Sequence, residues 1–174
     1  KIPQLSRQFW LEFSNYIKHS RTGSKFNIGS LTSIKNRNEL LFIPSFSNLI
    51  LVPDKIKLTP NIKWYNSYFH VLEKHNKLYS ANKNKFSIPL DLFANGLYIR
   101  RWKERDRIIS ATSKKHILIS DLYINNKLSI LGKLIHPIIV DKTDRIVWVP
   151  GMAHAELQEK PTKQKIKVIE WVQA

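Results

Sequence analysis

Residues 138–149 have the sequence IIVDKTDRIVWV. Two apolar runs, Ile138–Val140 and Arg145–Val149, lie on either side of the polar triplet Lys142-Thr143-Asp144. Branched and aromatic side chains favour strands, and a short polar segment between two such runs is typical of a chain reversal. The pattern therefore predicts a β-hairpin at the centre of a small β-rich core.

The segments next to this hairpin complete a C-terminal module. Leu97–Arg101 and Lys165–Val172 have strand composition, and Ser120–Lys127 is typical of a short helix. We expect this helix to cap the core, with Ser120 as its N-cap because a hydroxyl can accept from free N–H groups at a helix start. Ile146 and Trp148 are the predicted core residues.

The N-terminal half begins with apolar residues at helical spacing, which predict an amphipathic helix from about Leu5 to His19. Short strand-like runs follow at Lys25–Ile28, Glu39–Pro44, Leu49–Val52 and Lys55–Leu58, separated by turn residues. Residues 64–79 combine a helical period with strand-like composition, so helix and strand both stay open there. Ser80–Ser87, rich in Asn and Lys, is the predicted linker.

These segments predict an α+β fold, with an N-terminal amphipathic helix followed by two small β-rich modules, the last with a short helix packed on an antiparallel sheet. The predicted modules are residues 1–90, which combine a helix and a β-meander, and residues 91–174, the C-terminal module.

The charge of the chain indicates its class of partner. The 174 residues include 29 Lys and Arg against 13 Asp and Glu, a formal net charge of +16, and no cysteine. The excess is spread along the chain, with +10 in residues 1–90 and +6 in residues 91–174. A surface of this charge attracts polyanions, nucleic acid above all, because binding releases condensed counterions. An acidic membrane and a biased composition without function are the alternatives.

Several classes of function are excluded by what the sequence lacks. It has no apolar run of about 20 residues and no signal-peptide pattern at its start, so we expect neither a membrane span nor a membrane partner. Its five glycines form no phosphate-binding loop, and its histidines do not have zinc-hydrolase spacing. We therefore expect no catalytic residue, no metal site and no cofactor on this chain.

The densest positive charge is at residues 100–107, RRWKERDR, with Lys114-Lys115-His116 further on. On a continuous strand, Arg101, Lys103, Arg105 and Arg107 would share one face, which favours phosphate contact. Trp102 could stack on a base or pack in the core, and Asp106 is expected to orient a neighbouring arginine. The candidate RNA-binding residues are Arg100, Arg101, Trp102, Lys103, Arg105, Arg107, Lys114, Lys115, Lys127 and Lys133.

Four motifs in register between Leu97 and Gly151 resemble tRNA(Ile)-lysidine synthetase. They are residues 100–108 (RRWKERDRI), 120–128 (SDLYINNKL), 136–141 (HPIIVD) and 146–151 (IVWVPG). Weaker likeness covers residues 25–44 and 163–172. Three positions depart from the family pattern, with Arg105 in place of a glycine and Lys133 and Ala153 in place of arginines.

The resemblance implies that these residues are the tRNA-recognising C-terminal part of a larger ligase, with residues 1–90 as a substrate-recognition module and residues 91–174 as a C-terminal tRNA-binding module. That family uses ATP to attach lysine to cytidine 34 of a tRNA(Ile) with a CAU anticodon. Its ATP-pyrophosphatase domain, with ATP and Mg, is absent from this sequence, so the chain alone is expected to be inactive. The implied partners are the tRNA, held by its body and acceptor stem, and the catalytic domain, in the cytoplasm or an organelle matrix or stroma.

Two other hypotheses stay open from the sequence. The chain could be a catalytically inert RNA- or ribosome-binding protein descended from that family. It could also be a structural partner of an acidic protein, in which case it would prefer a protein to RNA.

Overall fold

The computed structural model describes residues 5–44, 54–73, 82–157 and 166–173, and the predicted strand Leu49–Val52 lies outside them. The chain forms two compact units, residues 1–52 and 53–174. The predicted boundary between residues 90 and 91 therefore falls inside the second unit. Helices and antiparallel sheets are combined in the chain, which confirms the α+β class.

The first unit combines one helix with a three-stranded antiparallel sheet. Helix α1 (Arg7–His19) begins after Ser6, whose Oγ accepts from the Phe9 backbone N–H. The strands are β1 (Lys25–Ile28), β2 (Leu31–Asn36) and β3 (Glu39–Pro44), in the order β1-β2-β3. Helix and sheet meet through Phe13, Tyr16 and Phe26, whose ring centroids lie 5.2–6.0 Å apart. The predicted helix, β1 and β3 are confirmed; β2 was missed.

The second unit is built around a five-stranded antiparallel sheet. Its strands are β4 (Lys55–Lys57), β8 (Leu97–Arg100), β11 (Ile138–Asp141), β12 (Ile146–Val149) and β13 (Ala153–His154). Their order across the sheet is β13-β12-β11-β8-β4. The hairpin predicted from IIVDKTDRIVWV is the pair β11–β12, and every residue of both strands is buried. Continuous burial requires cover on both faces of the sheet.

One face is covered by a second antiparallel sheet. It contains β5 (Ile62–Trp64), β6 (Ser67–Glu73), β7 (Lys85–Pro89) and β14 (Ile166–Gln173), in the order β5-β6-β14-β7. The predicted core residues are confirmed, with Trp148 1% and Ile146 4% exposed. Trp148 stacks on Phe86 of β7 at 5.6 Å and meets Phe69 of β6 edge-on at 6.2 Å. These aromatic contacts join the two sheets.

The other face packs against helix α3 (Ile119–Asn125) and a small ribbon, which pairs β9 (Arg107–Ile109) with β10 (His116–Leu118). Two further helices lie in the same unit: α2 (Leu90–Ala94) contacts β7, β8 and β14, and α4 (Ile130–Ile135) accepts the Trp64 indole N–H at its Ile135 carbonyl, 2.7 Å away. Ile108, Ile119 and Tyr123 share a buried cluster with Ile138 and Ile146, so α3 caps the core as predicted.

Two local predictions were wrong, and one open question is resolved. Ser120 is not the N-cap of α3; Leu118 is, without a side-chain bond, and Ser120 lies inside the helix. The linker predicted at Ser80–Ser87 includes the start of β7, which pairs with β14 because Phe86 has a buried place against Trp148. The open question at residues 64–79 resolves to strand for residues 67–73.

The continuous cationic strand predicted over residues 100–107 is not present. Strand β8 ends at Arg100 and β9 begins at Arg107, so residues 101–106 form a loop between them. The Asp106 carboxylate accepts from the Lys103 backbone N–H at 2.7 Å, and the Asp106 N–H donates to the Lys103 carbonyl at 3.1 Å. This closed turn replaces strand pairing, and the four cations do not share a strand face.

Candidate nucleic-acid interface

Arg100 is 2% exposed, and its buried side chain holds the loop of residues 101–106 in place. Its guanidinium donates to both carboxylate oxygens of Asp106, at 2.8 and 3.0 Å, and to Asp144 at 3.1 Å. Burial alone would lower the pKa of Arg100, but the hydrogen bonds and charges of Asp106 and Asp144 raise it above its ordinary value. Arg100 therefore holds the loop and does not lie where RNA could reach it. The expectation that Asp106 orients an arginine is confirmed.

The tight turn persists although arginine replaces the family's glycine. Arg105 has φ +68°, in the left-handed region where an L-residue is disfavoured by roughly 1–2 kcal/mol. The bidentate Arg100–Asp106 pair and the Lys103 bonds fix the turn around it. Arg105 is exposed, and no carboxylate among the described residues pairs with it.

Trp102 has a core contact and a surface contact. Its ring meets Tyr123 edge-on at 5.8 Å and packs against the buried cluster beneath α3. The half-buried ring also lines a shallow cavity of about 320 Å³ with Arg101 and Lys103. The core contact favours the packing interpretation of this residue over base stacking.

The β9–β10 ribbon carries an exposed cationic surface. Ile108 and Ile117 pair across the ribbon and face the core, which places Arg107 and His116 on its outer side. Arg107 and Lys115 line a groove of about 520 Å³ that continues to Asp121 and Asn125 of α3. Both cations are exposed and have no carboxylate partner among the described residues. The groove can therefore offer a forked and a point-like donor to phosphate.

The remaining candidates on the loop and ribbon are paired or partly paired. Lys114 bonds Glu156, and Arg101 bonds Asp54. The Lys103 side chain is 66% exposed and lies 3.6 Å from Asp144. Exposed pairs of this kind are weak, so these cations can exchange a carboxylate for a phosphate at small cost.

Lys127 and Lys133 lie apart from the ribbon, beside a second cavity. Lys127 follows α3 with φ +55°, and Lys133 lies in α4. Their sequence neighbours Asn126, Leu128 and Gly132 line a cleft of about 610 Å³. The structure thus divides the ten candidates among the buried anchor Arg100, the loop, the ribbon groove and the edge of this cleft.

Other groups at the interface escaped the sequence analysis. Asp54 and Asp144 hold the loop cations, and Asn125 extends the groove. The acidic partners lie far from the arginines along the chain, and only folding brings them together. Among the described residues no cluster of acidic and histidine side chains could hold a metal ion. None of the described helices combines the length and apolarity needed to cross a bilayer.

Fold and site together define a basic α+β domain built on two packed antiparallel sheets. Among solved structures, a TILS C-terminal domain matches it with a TM-score of 0.53 and 19% identity, over 70% of this chain and 93% of that chain. The similarity shows that the two chains share a fold over this part.

Sequence comparison points to the same kind of protein. Curated tRNA(Ile)-lysidine synthases from Thermotoga sp. (strain RQ2) and Thermotoga maritima are each 34% identical to this chain over 59 residues. The matched segment covers 34% of this chain and 14% of each relative. No protein-family model matches the chain. The chain therefore contains a region similar to the C-terminal part of tRNA(Ile)-lysidine synthase.

Proposed function

We propose that this chain is the tRNA-binding C-terminal part of a tRNA(Ile)-lysidine synthetase. It holds the body and acceptor stem of a tRNA(Ile) with a CAU anticodon, while a separate ATP-dependent catalytic domain attaches lysine to cytidine 34. ATP and Mg belong to that catalytic domain. The chain alone forms no lysidine.

The observation that carries the proposal is the ribbon groove on a fold shared with a TILS C-terminal domain. Arg107 and Lys115 are exposed there without a carboxylate partner among the described residues. An A-form stem displays phosphates and 2′-hydroxyls along a shallow minor groove, and a basic ridge such as this ribbon suits that shape. The net charge of +16 adds long-range attraction.

Contacts far from the modified base help such an enzyme to select the correct tRNA. A base-modifying site must reject tRNAs that share an anticodon loop, so recognition has to be gathered elsewhere on the tRNA. Contacts to stem phosphates fix register and orientation without reading sequence directly. The cations of the loop and groove are the proposed source of that positioning.

The test compares nucleic acids of equal charge. The purified chain is titrated with a 12-base-pair RNA stem and with DNA of the same sequence, and binding is followed by fluorescence anisotropy. We expect tighter binding of the RNA stem, because the groove is to follow A-form geometry. Equal affinities would reduce the surface to a nonspecific polyanion site and contradict the proposal.

The alternative is a catalytically inert RNA- or ribosome-binding protein of the same descent. Crosslinking the chain to total cellular RNA and sequencing the captured species separates the two. Enrichment of tRNA(Ile) with a CAU anticodon supports the synthetase, whereas enrichment of ribosomal RNA supports the alternative. Capture of an acidic protein in preference to RNA would contradict both.

A further inference from the structure

A cleft of about 610 Å³ lies within the second unit, apart from the ribbon groove. Its volume is in the range of small-molecule sites. Half-buried apolar side chains, among them Tyr65, Leu128 and Met152, form part of its lining. Amide side chains complete it: Asn66, Asn84, Asn126 and Gln173. Among the described residues, no carboxylate and no lysine or arginine lines it.

The amides at this cleft retain free hydrogen-bonding capacity. The side chains of Asn66 and Gln173 are exposed and bond to nothing among the described residues. The Asn126 amide donates to the Leu122 carbonyl at 2.8 Å, which leaves its oxygen free to accept. An amide offers donors and an acceptor together, and so does the edge of a nucleobase.

Three lysines neighbour this cleft along the chain without lining it. Lys83, Lys127 and Lys133 are each adjacent in sequence to a lining residue, and none has a carboxylate partner in the described part of the chain. A neutral, amide-lined cleft with cations outside suits a ligand with a neutral planar part and an attached phosphate. A nucleotide has this chemistry.

One strained backbone position and one close backbone approach lie at the cleft. Tyr65 has φ +48° in the turn between β5 and β6, a conformation rare for a bulky residue. Gly151, at φ +74°, brings its backbone so close to Trp171 that an added Cβ would lie 3.1 Å from that ring. Strained backbone concentrates at binding sites, where the surrounding structure maintains it.

Neighbouring residues at the end of α3 line the ribbon groove and the cleft. Asn125 lines the groove, and Asn126, whose Cα is about 3.8 Å further along the chain, lines the cleft. A nucleic acid seated in the groove can therefore extend a neighbouring nucleotide toward the cleft. Only an unpaired nucleotide can do so, because a paired base is held in its stack.

We propose that this cleft binds one unpaired nucleotide of an RNA whose stem occupies the ribbon groove, an inference that rests on the proposed function. The base lies against the Tyr65 and Met152 side chains and bonds to the amides of Asn66 and Gln173. Its phosphate lies near Lys127.

The test uses two RNA hairpins with one stem, one blunt and one with three unpaired nucleotides at its 3′ end. We expect the complete chain to bind the extended hairpin about tenfold more tightly, since stacking one base on a protein surface contributes roughly 1–3 kcal/mol. In ¹⁵N-resolved NMR spectra, the extended hairpin should shift the Trp64 and Trp171 indole signals and the blunt hairpin should not. Adenosine monophosphate alone should shift the same signals.

A matched pair of variants locates the effect. The double variant Asn66→Ala/Gln173→Ala should lose most of the tenfold preference and keep the wild-type affinity for the blunt hairpin. The control Asn38→Ala/Asn95→Ala removes two exposed amides that do not line the cleft and should keep the preference.

Two outcomes overturn the inference. If both hairpins bind equally to the wild-type chain, the cleft takes no nucleotide, and the proposed function stands on the blunt hairpin alone. If neither hairpin binds, the proposed function fails and the inference fails with it.

Discussion

Arg105 supplies an exposed positive charge, but its backbone conformation is unfavourable for any residue other than glycine. It occupies a left-handed turn position that glycine adopts without steric cost. The sequence draws attention to this position because Arg105 stands where the family it resembles has a glycine. It does not reveal that Arg100 and Asp106, six residues apart, would hold the same turn without it.

The variant Arg105→Gly should be more stable than the parent chain by about 0.5–1 kcal/mol. Relief of the left-handed strain exceeds the added entropy of glycine in the unfolded chain. The measurement is the urea midpoint of unfolding. Arg107→Gly is the matched control: it makes the same chemical change in strand β9, where glycine should destabilise by about 0.5–1 kcal/mol. A loss of stability in both variants would show that the turn does not strain Arg105.

His136 makes stability depend on pH. Burial lowers its pKa to about 4, against 6.5 in the unfolded chain, although its bond to the Pro150 carbonyl opposes the shift. The folded protein therefore keeps His136 neutral while the unfolded chain takes up a proton, so its contribution is complete above pH 6.5 and falls as the pH approaches 4. Between pH 7.5 and pH 5 the free energy of unfolding should fall by about 2 kcal/mol.

Urea unfolding at the two pH values, for the parent chain and for His136→Gln, measures this contribution. The variant should lose most of the difference. The carboxylates of Asp141 and Asp144 do not contribute to the change in stability between pH 7.5 and pH 5. Burial would raise their pKa, but bonds from Thr143 and Arg145 lower that of Asp141, and bonds from Lys55 and Arg100 lower that of Asp144. Their contributions fall only below about pH 5. An unchanged difference in the variant would assign the pH dependence to other groups.

Among the elements, those with a strong local pattern were predicted and those fixed by distant partners were not. Helix α1 and hairpin β11–β12 follow from apolar periodicity, and the final strand from alternation. Strand β7 lies in an Asn- and Lys-rich region, and only its partner β14, far along the chain, gives it a place in a sheet. Residues 101–106 have a strand-like alternation of charge. They form a turn instead, because the Asp106 carboxylate accepts from the Lys103 backbone N–H.

Trp102 connects the loop of residues 101–106 to helix α3 through its contact with Tyr123. Trp102→Ala should lower the free energy of unfolding by about 2–3 kcal/mol, below the 3–5 kcal/mol typical of a fully buried aromatic, since the ring is half-buried. Thermal and urea unfolding measure the loss. At a temperature where the variant is folded, its RNA affinity should stay within about threefold of the parent. Weaker RNA binding with an unchanged melting temperature would instead mean that the ring stacks on RNA.

The fold of the two packed sheets determines which charged side chains are exposed and which are buried or paired. Composition alone predicts attraction to a polyanion, and the fold selects which cations are free to act. Arg100 is withdrawn into the core, Arg101 and Lys114 are paired, and Arg107 and Lys115 stay open. Charge density places Arg107 and Lys115 among the candidates but cannot separate them from Arg100, Arg101 and Lys114, because only folding brings the acidic partners of those three close.

A control for the ribbon groove is a pair of exposed lysines on sheet edges away from it. Strand β4, which carries Lys57, lies at the opposite edge of the five-stranded sheet from β13, whose side borders the ribbon. Lys63 lies in β5, the edge strand of the other sheet. The variants Arg107→Ala/Lys115→Ala and Lys57→Ala/Lys63→Ala each remove two exposed cations, so they differ in place and not in net charge.

The decisive measurement is the affinity for an RNA stem as a function of salt, for the parent and both double variants. Removing one cation that binds a phosphate should reduce the steepness of log K against log salt by about 0.9. We expect Arg107→Ala/Lys115→Ala to weaken binding and to flatten the slope by about 1.8, whereas Lys57→Ala/Lys63→Ala should change the slope by less than about 0.5. Equal flattening in both variants, or an unchanged slope in the groove variant, would contradict the claim that this groove binds RNA.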